Sequence, residues 1–291
     1  MASLAPGEAV LCTNAMTGFV TRFAPSPTGA LHLGHAFAAL TALDAARAAG
    51  GRFLLRIEDL DGARCRPEFE TAIYEDLAWL GVAWETPVRR QSEHMGDYAR
   101  VLDDLVARSL VYRDFRTRRE LMAESVNAPH ELGVTVRGGP ASDEAERLAT
   151  GQPFAWRLSL DRCRDTLGAD WISLGFEADG VWTKAEPERL GDAILARKEF
   201  PASYHLASVH DDALQGITHI IRGEDLRDAA HLHVLLQRLL GLPTPTYRHH
   251  RLILGDNGKR LAKRDLAVTL RAMRASGETP SSIRAQLGLR E

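Results

Sequence analysis

Apolar residues are spaced along this chain in two alternating ways. Phe19, Val20 and Phe23, within Gly18 to Phe23, make a short run that predicts a buried strand. Ala36, Ala39, Leu40, Leu43 and Ala46 then recur at helical spacing up to Gly50 and Gly51, where a helix stops. Phe53-Leu54-Leu55-Arg56-Ile57 predicts a second buried strand, and it ends in Glu58-Asp59-Leu60-Asp61. Phe69, Ile73, Leu77 and Leu80 predict a helix over 67–80. After a turn at Gly81, Gln91-Ser92-Glu93 opens another helix through Tyr98, Leu102, Leu105 and Val106, whose aromatic and aliphatic residues read as core.

From Tyr112 to about Lys198 the periodicity weakens. Strand-like pieces (Phe154 to Leu160, Trp171 to Leu174, Val181 to Trp182) alternate with polar and Gly/Pro-rich turns, which suits an inserted α+β module. Regular pattern returns with a strand over Ile217 to Ile221, then a helix through Leu232, Leu235, Leu236 and Leu239. Leu252-Ile253-Leu254 is again strand-like. Two short helices follow, one through Leu266, Leu270 and Met273, the other capped by Thr279 with Pro280 at its first position.

The polar residues between these elements carry the candidate chemistry. Between the first strand and helix, Pro25-Ser26-Pro27-Thr28-Gly29 cannot continue a strand, and His32 and His35 flank Gly34. Their spacing puts both imidazoles on one side of the first helical turn, where unpaired N–H groups and the helix dipole favour an anion such as phosphate. H-x-x-H alone is equally compatible with half-exposed surface residues. Carboxylates just past a strand, such as Glu58, are well placed to meet a cation or ammonium group in an open parallel sheet, while Asp61 suits a helix cap. His210, Asp211 and Asp212 look like a metal cluster but read as solvated or capping groups. The basic run Lys259 to Arg264 reads by itself as a solvated face.

Composition narrows the class. With 291 residues the chain can bury a full core, and 36 basic against 39 acidic residues leave a formal charge of -3, so any RNA contact must rest on local patches. Cys12, Cys65 and Cys163 are widely separated without C-x-x-C spacing, which fits a reduced, cytoplasmic protein. No stretch is long enough to cross a bilayer, and no membrane partner is expected. Residues 1 to 16 are read as a disordered extension, with Met16 as a candidate start.

The string RFAPSPTGALHLGH, Arg22 to His35, resembles the signature of class I glutamyl-tRNA synthetases. Glu58 stands where that family's R-I-E-D-x-D motif has a Glu associated with the amino acid's ammonium group. Arg222-Gly223-Glu224-Asp225-Leu226 is similar to the second half of the family's catalytic domain, and Arg260 to Arg264 to its K-L-S-K-R loop, with Arg260 for the first Lys and Ala262 for Ser. The resemblance implies an α/β fold: a Rossmann-type parallel sheet split into 17–111 and 199–247, an inserted acceptor-type domain over 112–198, and over 248–291 the Lys263 loop and a short helical segment. It implies a glutamate site of Arg22, Phe23, Ala24, Pro25, Ser26, Glu58, Tyr204 and Arg222, with Arg22 on the side-chain carboxylate. It implies an ATP site of His32, Gly34, His35 and Lys263, and a phosphate loop of Arg260, Leu261, Ala262, Lys263 and Arg264. Where many relatives have Asn, this chain has Ser208.

Where many relatives begin a zinc site with Tyr-x-Cys-x-Cys, this chain has Tyr112-Arg113-Asp114-Phe115-Arg116, so no zinc is expected, and Mg²⁺ comes with ATP. The chain stops where full-length relatives continue into an anticodon-reading domain. A catalytic half of this kind looks like the glutamyl-Q tRNA(Asp) synthetases, which activate glutamate without tRNA and attach it to queuosine in the anticodon loop of tRNA(Asp). The partners then expected are glutamate, ATP and that anticodon stem-loop, for a monomeric enzyme. A tail-less glutamyl-tRNA synthetase charging the 3′ end of tRNA(Glu), and a non-catalytic nucleotide-binding relative, are the rival readings.

Overall fold

Strand β1 (Val20–Phe23) is buried at every position and pairs in parallel with β2 (Arg52–Ile57), Val20 opposite Arg52 and Phe23 opposite Leu55. Strands covered on both faces in this way are mostly apolar, and here Arg22 and Arg56 are the buried charged exceptions. Between them α1 (Leu33–Ala48) crosses over, and its small buried residues Ala36, Ala39, Ala42 and Ala46 let it lie close to the sheet. Only glycine fits at 51, where a Cβ would lie 2.2 Å from the Phe19 carbonyl oxygen. After α2 (Pro67–Trp79), β3 (Glu85–Arg90) adds a third parallel strand. Its sequence, ETPVRR, is polar and half-exposed, as an edge strand tolerates, so apolar periodicity does not announce it. Gln91–His94 form one 3₁₀ turn before α3 (Met95–Ala107).

The computed structural model describes residues 18–117, 120, 136–197, 202–255 and 268–290. The expected extension over 1 to 16 and the phosphate loop Arg260, Leu261, Ala262, Lys263 and Arg264 lie outside the described residues.

The stretch read as one inserted module divides in two. β4 (Val111–Asp114), β5 (Ala155–Leu158, preceded by the short α4, Glu144–Ala149) and β8 (Ile194–Arg197) form an antiparallel sheet in the order β4-β5-β8. β6 (Gly175–Ala178) and β7 (Val181–Lys184) instead make a hairpin that joins the main sheet, Ala178 pairing with Tyr247. Two expected strands change character here. β5 gives way to α5 (Leu160–Leu167), and Trp171 closes a 3₁₀ turn instead of opening a strand.

α6 (Tyr204–Leu214), β9 (His219–Gly223), α7 (Ala229–Leu239) and β10 (Thr246–His250) complete the second half, and α8 (Leu270–Ala275) and α9 (Pro280–Leu287) follow. β10 is the polar segment TYRHH; the apolar Leu252-Ile253-Leu254 lies beyond it. β9 and β10 pair in parallel. The two halves are joined through Thr218, which donates its N–H to the Val20 carbonyl at 3.0 Å and accepts the Val20 N–H on its hydroxyl at 2.8 Å. The strands thus run β3-β2-β1-β9-β10-β6-β7, with the order reversing between β1 and β9. Ligands in such sheets bind at that reversal, outside the carboxyl ends.

Candidate active site

A cleft of about 780 Å³ opens at the reversal, lined by Ser26, Thr28, Glu58, Tyr204, His205 and Asp225 among others. The Pro25 carbonyl accepts the Glu58 N–H at 3.0 Å, which ties the loop after β1 to the end of β2. Phe23 belongs to the apolar core with Leu31, Phe37 and Ile57. Its side chain therefore does not reach the cleft as a glutamate contact would, and Pro25 is buried as well.

His32 is the N-cap of α1, and its Nδ1 accepts the Gly34 N–H at 3.1 Å. His35 reciprocates, its Nδ1 accepting the His32 N–H at 3.2 Å, and the ring centroids stand 3.9 Å apart. Because each Nδ1 accepts a backbone hydrogen, a neutral ring carries its own hydrogen on Nε2. Gly34 packs closely under the cap: a Cβ there would lie 3.0 Å from His32 Cε1 and 3.1 Å from Nδ1, so the ring would have to give way slightly. Gly34→Ala is expected to push the His32 ring aside by a few tenths of an ångström, and the weakened cap, at ~1 kcal/mol, to be roughly offset by the helix propensity that alanine gains, leaving chemical unfolding close to wild type. Thr269 forms an antiparallel bridge with His32, and Leu270 donates to the Leu31 carbonyl at 2.9 Å. The chain that follows the basic loop is thereby fixed against the two histidines.

Beneath the cleft lies a buried charge network that the sequence pattern did not reveal. Arg22 grips Asp212 with Nε at 2.8 Å and Nη2 at 3.2 Å, and Arg56 Nη1 reaches the same carboxylate at 2.7 Å. Arg89 Nε, Gln91 Nε2 and the Tyr98 hydroxyl converge on Asp211. Asp211 and Asp212 are 0% and 1% exposed, so they are neither solvated nor caps. Burial works against their ionisation, yet the ring of cationic and hydrogen-bonding partners outweighs it and holds both below the usual carboxylate range. With its Nε–Nη2 edge committed to Asp212, Arg22 keeps the Nη1–Nη2 edge to offer a substrate carboxylate.

Glu58 accepts from Arg56 Nη2 and from the Ser208 hydroxyl, each at 3.1 Å and both on Oε1. Burial pushes its carboxyl up, against the opposing pull of Arg56 and Arg22. Ser208 thus touches Glu58 itself. Arg222 is 5% exposed and donates from Nη1 to the Tyr204 hydroxyl at 3.3 Å. Among the described residues, its Nε and Nη2 find no acceptor. Buried donors without partners are costly, which makes this edge of the fork a candidate contact for an anionic ligand.

A family model described as "tRNA synthetases class I (E and Q), catalytic domain" matches residues 19–291. A glutamyl-Q tRNA(Asp) synthetase of Rhodobacter capsulatus is 50% identical over 93% of this chain and 100% of its own length. The chain belongs to the class I (E and Q) tRNA synthetases, among the glutamyl-Q tRNA(Asp) synthetases. A second glutamyl-Q tRNA(Asp) synthetase, from Nocardia farcinica, is 39% identical over 93% of this chain and 84% of its own. The glutamate–tRNA ligase of Aquifex aeolicus is 36% identical over 92% of this chain and 56% of its own length. The solved glutamate-tRNA synthetase of Elizabethkingia anophelis superposes with a TM-score of 0.74 at 27% identity, covering 93% of this chain and 61% of that one.

Within this class I synthetase, Asp114 binds Arg116 through Nε at 2.8 Å and Nη2 at 3.1 Å, and it also binds Arg157. Arg157 in turn donates to the Asp192 carbonyl at 2.9 Å and lines the cleft. Both Asp114 oxygens already meet guanidinium groups, a surrounding that repels a cation and does not suit zinc. Among the described residues, no cluster of three or more His, Cys, Asp or Glu side chains could hold a metal, and no helix is long and apolar enough to cross a membrane.

Proposed function

We propose that this synthetase activates L-glutamate with MgATP in the absence of tRNA and transfers it to the queuosine base in the anticodon loop of tRNA(Asp). The observation that carries the choice of RNA is the 50% identity running through the whole of a glutamyl-Q tRNA(Asp) synthetase, against 36% to a glutamate–tRNA ligase. The geometry supports the amino-acid half of the reading. Arg222, with two donor nitrogens lacking acceptors among the described residues, takes the side-chain carboxylate, and Tyr204 closes over it. Arg22 serves chiefly to fix the floor of the pocket through Asp212, with its Nη1–Nη2 edge left for the substrate. Glu58, on the cleft wall, pairs with the ammonium group.

In the first step an α-carboxylate oxygen of glutamate attacks the α-phosphorus of ATP. The bond to the bridging oxygen breaks, and pyrophosphate leaves with the electron pair. Charge on the phosphate oxygens is met by the Nε2–H groups of His32 and His35, by the start of α1, and by Lys263 from the basic loop. Glutamyl-adenylate results, and a hydroxyl of the queuosine ring then displaces AMP from its acyl carbon.

The test is incubation with labelled glutamate, ATP and either tRNA(Asp) bearing queuosine or tRNA(Glu), each with a blocked 3′ end. Label is expected on the blocked tRNA(Asp) alone, and pyrophosphate exchange is expected without any tRNA. Label that requires a free 3′ adenosine on tRNA(Glu) would instead establish an enzyme charging that end.

A further inference from the structure

His205 stands on the cleft wall, and its Nδ1 lies 3.1 Å from His233 Nε2. His233, 1% exposed, has its Nδ1 3.5 Å from Arg222 Nη1. Neither histidine entered the site as read from the sequence. We propose that Arg222 dictates where the hydrogens of this His233–His205 relay sit, so that His205 always offers the cleft an N–H donor and helps select a ligand group made only of acceptors, a carboxylate over an amide. This inference rests on the reading of the cleft as the amino-acid site.

The hydrogens of the relay are set outward from the one group whose state is fixed. A guanidinium has donors only and stays charged. The two hydrogens of Arg222 Nη1 point to the Tyr204 oxygen and to His233 Nδ1. A hydrogen on that Nδ1 would oppose an N–H to an N–H in a buried place, so Nδ1 is bare and His233 carries its hydrogen on Nε2. That hydrogen meets His205 Nδ1, which must then accept, and the hydrogen of His205 is left on Nε2. A doubly protonated ring would break the chain. It is disfavoured because burial and then the Arg222 charge pull His233 well below its ordinary range, and the same two causes bring His205 down to about 4. The Tyr204 oxygen, accepting from Arg222, keeps its own hydrogen to give.

Tyr204 O–H and His205 Nε2–H, on neighbouring residues that both line the cleft with ring centroids 5.4 Å apart, therefore make a corner of donors, with Arg222 behind them. A carboxylate satisfies all of them, whereas an amide turns an NH₂ against at least one. The polarity of the corner comes from the relay as much as from charge. His233 never touches the ligand and acts as a positioning residue.

The relay is read directly by long-range proton–nitrogen correlation on the full chain labelled with ¹⁵N-histidine, the two rings being assigned by loss of signal in His205→Phe and His233→Phe. Both rings are expected to be neutral with hydrogen on Nε2 from pH 5.5 to 7.5, and Arg222→Met is expected to leave His233 in mixed tautomers. Either ring carrying its hydrogen on Nδ1, or charged at pH 7, overturns the proposal. In pyrophosphate exchange, His233→Phe is expected to narrow the preference for glutamate over glutamine by ~10-fold, the scale of one charge-assisted hydrogen bond. An unchanged preference in a variant that still folds overturns the selective role. If glutamate drives no exchange at all, the assignment of the cleft fails, while the nitrogen spectrum still reads the relay.

Discussion

Replacing Lys263 with alanine is expected to lower glutamate-dependent pyrophosphate exchange by ~10²- to 10³-fold, the loss that follows removal of one positioned donor from a site where charge develops. Lys263 keeps the second lysine of a loop resembling K-L-S-K-R, and the chain after that loop is bridged to His32 through Thr269 and to Leu31 through Leu270. The described residues that follow the loop thus stand beside the histidines proposed to meet the phosphate oxygens. Lys263→Arg should recover only part of the rate, because a planar fork does not occupy the place of a compact point charge. Wild-type exchange in Lys263→Ala would remove the loop from the reaction.

The second large effect is on stability. Asp212→Ala leaves Arg22 and Arg56 buried, at 5% and 0% exposure, without the carboxylate they share. Breaking a buried ion pair from one side costs ~3–5 kcal/mol, a large part of the ~5–15 kcal/mol that holds a typical domain together. Chemical unfolding should show that loss in full, and Asp212→Asn, which keeps shape and one acceptor, a smaller one. An Asp212→Ala protein as stable as wild type would show that the arginines find water or other partners.

The pH dependence has a definite sign. Asp211 and Asp212 are held below the ordinary carboxylate range, so their stabilisation is complete above the unfolded value and disappears as pH falls through the folded one. Glu58, held above its ordinary range, acts oppositely: its unfavourable contribution grows as pH rises from the unfolded value and is complete above the folded one. Acid unfolding should therefore flatten in Asp212→Asn relative to wild type.

Much of this was legible in the sequence because local rules and the fold agree. The two imidazoles at the first turn of α1, the glycines that stop it and the carboxylate at the end of β2 all stand where spacing put them. What failed was contact over long separations. Arg22 and Asp212 are 190 positions apart, and Arg56 and Asp212 156. Asp211 and Asp212, adjacent on a helix, look solvated because neighbouring helical positions diverge by about 100°. α6 is buried around most of its circumference, from Leu206 to Asp212, so both acids face inward. A signal was present: Arg22 and Arg56 interrupt otherwise apolar strands, and a buried guanidinium demands an anion. β3 and β10 were missed for another reason. Their pairing is set by the backbone of their neighbours, and their side chains are largely polar.

The β6–β7 hairpin limits how this enzyme can be taken apart. Both ends of the antiparallel sheet, β4 and β8, lie against β5, so the stretch from 112 to 198 looks like a cassette that could be cut out and its ends rejoined. Excision would also remove β6 and β7 from the flank of the main sheet. β10 would become the outermost strand, with the Tyr247 carbonyl and the His249 N–H stripped of the Asp179 groups that now satisfy them. A bare strand of that kind invites pairing between molecules. A trimmed enzyme would need those ten residues, Gly175–Lys184, kept or replaced, and a graft of the β4-β5-β8 sheet onto another scaffold would be cleaner without them.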